Sequence, residues 1–156
     1  MRSPRRTTAR QRFRAGLVTL PVLLVMGCGS SALSAADLRK QAGLICSRAD
    51  RQISRIPTPA NQAAGNAFLK AGIAALDPEL ADLKALKPPS DEAVVYQAGL
   101  KALSGELDGL HSATTKLDQG ADPVRTFREL ETTLAPLETE ADNAWRALDI
   151  SSCLSR

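Results

Sequence analysis

Between residues 35 and 148 the apolar positions recur at alternating steps of four and three, the spacing that lines one face of an α-helix. Residues 91–118 show it most clearly, with Tyr96, Leu100, Leu103, Leu107, Leu110, Thr114 and Leu117 on one seam. Residues 59–86 repeat it with Leu69, Ile73, Leu76, Leu80 and Leu83. Residues 123–148 do so with Phe127, Leu130, Leu134, Leu137, Ala141, Ala144 and Leu148. Residues 35–55 carry a weaker version: Leu38, Ala42, Ile45 and Ala49, then Ile53 or Ile56. A helix with a single apolar seam must bury it against another helix.

Turn residues separate the four segments. Pro57-Thr58-Pro59 closes the first, with Thr58 expected to cap the second helix and Pro59 at its first position. Lys87-Pro88-Pro89-Ser90 closes the second, and Ser90, Asp91 and Glu92 supply a cap and favourable charge for the third. Gln119-Gly120 ends the third, and Asp122 caps the fourth with Pro123 in its first turn. Short connections force neighbouring helices to run antiparallel. The expected fold is therefore all-α, an antiparallel up-down four-helix bundle over residues 35–153. Pro78 and Pro136 fall inside the second and fourth helices but off the seams, so a kink or break there can face solvent. Glycines at 43, 65, 72, 99, 105 and 109 also lie within helices, where close approach of a neighbour would justify them.

The first 27 residues follow another pattern. Arg2, Arg5, Arg6, Arg10, Arg12 and Arg14 precede an apolar stretch of about a dozen residues ending at Met26. That is the layout of a secretory signal, and it falls short of the roughly 20 residues of a spanning helix. Arg5-Arg6 is followed by Thr7-Thr8-Ala9 rather than the apolar residues of a twin-arginine signal, so the general secretion route is preferred. Val25-Met26-Gly27-Cys28 resembles a lipobox, the cleavage signal of bacterial lipoproteins. The resemblance implies a signal peptide over 1–27, lipidation of Cys28 and a short tether over 28–34. The alternative is an ordinary signal cut near Ser34-Ala35-Ala36.

Removing this segment reverses the charge. Six of the 20 basic residues precede Cys28, which leaves 14 against 17 acids from there on. The remaining chain gives no electrostatic case for nucleic-acid binding. If Cys28 carries lipid, Cys46 and Cys153 are left as an even pair, as a disulfide in an oxidising compartment requires. The alternative is two buried thiols.

The combined pattern, Ile45-Cys46, then Ile53-Ser54-Arg55-Ile56-Pro57-Thr58-Pro59, Leu86-Lys87-Pro88-Pro89, a tyrosine early in the third helix and Cys153, resembles a family of small uncharacterised exported proteins of high-GC Gram-positive bacteria. The resemblance covers about residues 40–153. It implies a helical fold and a disulfide, and no catalytic residue.

Sites of chemistry are hard to assemble from this sequence. His111 is the only histidine; with Asp108 it forms half of the paired arrangement that a bundle metal site needs. No Cys-x-x-Cys-His, nucleophile elbow or glycine-rich phosphate loop is present. Glu129, Glu131, Glu138 and Glu140 lie off the apolar seam, as a solvated helical face. Tyr96 and Trp145 read as packing residues. The expectation is a non-enzymatic envelope lipoprotein without a cofactor or metal. It would be held to the membrane by lipid on Cys28 and would act by binding an envelope protein or as a spacer. The alternative is a carrier with a small apolar ligand in the bundle core. A cavity of a few hundred Å³ would favour the carrier.

Overall fold

The computed structural model of the chain describes residues 32–154. The expected signal peptide, the tether up to Ser31 and Cys28 lie outside the described residues. Within them the protein is an antiparallel bundle of α1 (Ala35–Ile53), α2 (Gly65–Ala85), α3 (Ala93–Asp118) and α4 (Pro123–Ala147), with single 3-10 turns at Gln62–Ala64 and Ser151–Cys153. No strand occurs among the described residues.

The helix ends follow local chemistry. The Ser34 hydroxyl accepts the Asp37 N–H at 3.1 Å and starts α1. The Asp122 carboxylate does the same for Arg125 at 2.8 Å and starts α4, with Pro123 in its first turn as expected. Gly120 ends α3 with a φ of 84°, and the Ala121 N–H bonds back to the Lys116 carbonyl. Two starts differ from expectation. The second helix begins at Gly65 rather than beside Thr58 and Pro59, because the Asn61 side chain accepts the Ala64 N–H at 3.0 Å and holds a separate turn there. The regular third helix begins at Ala93 without a side-chain cap from Ser90. The Glu92 carboxylate at its threshold is taken instead by Arg39, at 2.9 Å. Both α2 and α4 run unbroken across their exposed prolines, Pro78 and Pro136.

The core has two parts. At the end where the chain enters, Leu38, Ala42 and Ile45 meet Ile73, Leu80 and Leu83, Leu100, Leu103 and Leu107, and Ala141, Trp145 and Leu148. A smaller cluster of Leu69, Ala113 and Leu130 lies at the far end, where the shorter α1 does not reach. Tyr96 and Trp145 sit inside the larger part, edge to face, with ring centroids 5.8 Å apart. Thr114, the polar seam residue, is buried and donates to the His111 carbonyl at 2.9 Å, so it needs no further partner. Glycines give α3 its close approach to α4: a Cβ on Gly99 would lie 2.8 Å from the Trp145 ring.

Tyr96 yields a pH prediction. Its hydroxyl donates to the Leu83 carbonyl at 2.8 Å, and burial raises its pKa well above the ordinary value. The unfolded phenol ionises near pH 10 and the folded one only at higher pH. Stability is therefore fully present below about pH 10 and is lost as pH rises beyond it. Denaturation midpoints should fall above pH 10, and the fall should be shallower in Tyr96→Phe.

Candidate functional site

The chain enters the bundle beside the loop between α2 and α3. The Leu33 N–H bonds to the Lys87 carbonyl at 2.8 Å, and Leu33 packs on the main core. The guanidinium of Arg39 donates to the Leu148 carbonyl at 2.8 Å and to Glu92, tying the starts of α1 and α3 to the end of α4. This end of the bundle is thus fixed next to residue 32. The turns joining α1 to α2 and α3 to α4 lie at the other end.

The C-terminal tail supplies the contact that helices α1 and α4 leave open. Asp149 adopts a left-handed conformation with φ 58°, and the Ile150 N–H bonds to the Trp145 carbonyl, which reverses the chain. Ile150 is buried, and Cys153 reaches Cys46 of α1 in a disulfide with a Cα–Cα distance of 5.1 Å. The expected pair is bonded.

Three surface features of the described residues bear on function. A half-open cleft of about 350 Å³ lies between α3 and α4, floored by Leu103, Ala141 and Trp145 and edged by Glu106, Glu138, Thr139, Asp142 and Cys153. Asp142 pairs with Arg146 at 2.6 Å. A smaller groove between α1 and α2 holds Glu79, which is buried beside Pro78. The sequence pattern missed Glu79 because it sits next to the Leu76 and Leu80 seam, on the side of α2 that faces α1. Towards the far end, Lys116 of α3 and Arg125, Arg128, Glu129, Thr132 and Thr133 of α4 line an open depression. Lys116 donates to Glu129 at 2.8 Å; that bond, then the charges of Lys116 and Arg125, hold the Glu129 pKa below the ordinary carboxylate value.

No family model, curated protein or solved structure matches the chain.

His111 is exposed on α3, with its Nε2 3.6 Å from an oxygen of Asp77 on α2. Asp108, the expected half-site partner, is exposed on the same helix. Among the described residues no group of three His, Cys, Asp or Glu side chains is arranged to hold a metal. Glu129, Glu131, Glu138 and Glu140 are all exposed. No helix among the described residues is long and apolar enough to cross a membrane.

Proposed function

We propose that the protein is a cell-envelope lipoprotein, held to the outer face of the membrane through Cys28, whose bundle is a non-enzymatic interaction module. The carrying observation is the way the chain enters the fold. Leu33 is fixed against Lys87 and the core, and Ser34 caps α1. Four peptide steps join Cys28 to Ala32, a reach of at most about 14 Å. A lipid on Cys28 would hold the α2–α3 loop end close to the bilayer and turn the opposite end outward. The Cys46–Cys153 bond suits an oxidising compartment. The likeness to small exported proteins of high-GC Gram-positive bacteria belongs to the same reading.

The carrier alternative gains from the volume of the α3–α4 cleft, which reaches the lower range of ligand pockets. Its carboxylate rim and open mouth suit an apolar ligand poorly.

Fractionation of cells expressing the full chain tests the proposal. The wild-type protein should sediment with membranes, and Cys28→Ala should abolish that association together with any envelope phenotype. His111→Ala should keep both. A wild-type protein found free in the medium would count against the lipid anchor. Loss of the phenotype in His111→Ala at unchanged abundance would reveal a reactive site beside that histidine.

A further inference from the structure

We propose that the depression between α3 and the first half of α4 binds the phosphate groups of an envelope polymer. The inference rests on the anchored reading above for the source of the ligand, and on the local geometry for its chemistry. Lys116, Arg125 and Arg128 bring three cations to this face from two helices, against Glu129, which is ionised and already paired with Lys116. Asp122, three residues before Arg125, is engaged as the cap of α4. Arg125 and Arg128 are three residues apart on a helix, so their side chains are neighbours. Donors converging from two helices do not lie in one plane. A phosphate within a chain carries its charge on two oxygens of a tetrahedral phosphorus flanked by bridging oxygens, so it accepts from more than one plane, whereas both oxygens of a carboxylate accept mainly in its own plane.

The depression also continues inward. A slot of about 80 Å³ between α3 and α4 shares Lys116, Glu129 and Thr133 with it and is lined further by Ser112 and Thr126 and by the apolar Gly109, Ala113 and Leu130; the Thr126 and Thr133 hydroxyls donate to backbone carbonyls one turn back. That space exceeds the roughly 10–15 Å³ that a single water requires. The location selects the source. Arg128 precedes the end of α4 at Ala147 by 19 residues, roughly 28 Å of helix. In a bundle tethered at the other end, this face stands above its own bilayer, so the phosphate belongs to a chain in the envelope and not to a lipid headgroup.

The test titrates the protein, purified from cells that export it, with inorganic polyphosphate of about ten units at low salt. Glycerol phosphate and polyglutamate serve as comparisons. Polyphosphate should bind, and added salt should weaken it. Arg125→Gln with Arg128→Gln should weaken binding about tenfold, as loss of two exposed charge pairs implies. Glu129→Gln should tighten it about threefold by removing the opposing charge and freeing Lys116. Arg51→Gln with Arg55→Gln, a basic pair on the first helix and the turn after it, should leave binding unchanged.

Absence of polyphosphate binding overturns the proposal, as does equal loss in both arginine pairs. Polyglutamate binding of the same strength through the same arginines overturns the phosphate assignment. Glycerol phosphate binding as tightly as the polymer overturns the polymer. None of these results depends on lipidation, so they are separable from the fate of Cys28.

Discussion

Removal of the Cys46–Cys153 bond should lower the stability of the domain by about 4 to 5 kcal/mol, the loop-entropy value for a closed loop on the order of 100 residues. The two cysteines are separated by 107 positions. The bond also holds the tail that places Ile150 and Leu154 on the core, in the gap between α1 and α4. The Cys46→Ala, Cys153→Ala double variant should therefore unfold at a much lower denaturant concentration than the oxidised protein, while retaining its helical circular dichroism under native conditions. A midpoint within experimental error of wild type would mean that the tail is held by packing and by Arg39 alone.

Trp145→Ala should cost about 3 to 5 kcal/mol, the usual range for deleting a buried aromatic. The indole is 1% exposed and stands against Gly99 of α3 and, in a T-shaped pair, the ring of Tyr96. Gly99→Ala alone should cost about 1 to 3 kcal/mol, because the new methyl would lie 2.8 Å from a rigid ring. The two effects should not add. With the indole gone, the methyl has room, and alanine's helix preference of about 1 kcal/mol over glycine makes Gly99→Ala neutral or stabilising in that background. Thermal unfolding of the four proteins in this cycle measures the coupling. Simple additivity would show that Trp145 does not rest on Gly99.

Much of the fold is legible in the sequence because its signals are local. Seams at Leu100, Leu103 and Leu107, or at Leu69, Ile73 and Leu80, reach their partners as one face of one helix. Asp122 and Gly120 act within a turn of their own positions. The misplaced start of α2 is a competition between neighbours, in which Asn61 closes its own turn and Thr58 is left exposed. Other features depend on distant parts of the chain. Arg39 gathers a carboxylate 53 positions away and a carbonyl 109 positions away. Glu79 is buried because α2 packs on α1 as well as on α3, a second contact that one apolar seam cannot reveal. The grouping of Lys116 with Arg125 and Arg128 becomes visible only when α3 and α4 are laid side by side. The disulfide was readable from cysteine parity, whereas the left-handed turn at Asp149 that makes it reachable was not.

The measurement that bears most directly on the account is the intact mass of the native protein extracted from the membranes of its own cells. A chain beginning at Cys28, heavier by a diacylglyceryl group and lighter by the two hydrogens of one disulfide, is the expected result. A chain beginning at Ala35 or Ala36 without lipid would contradict it, and would make this bundle a freely secreted protein.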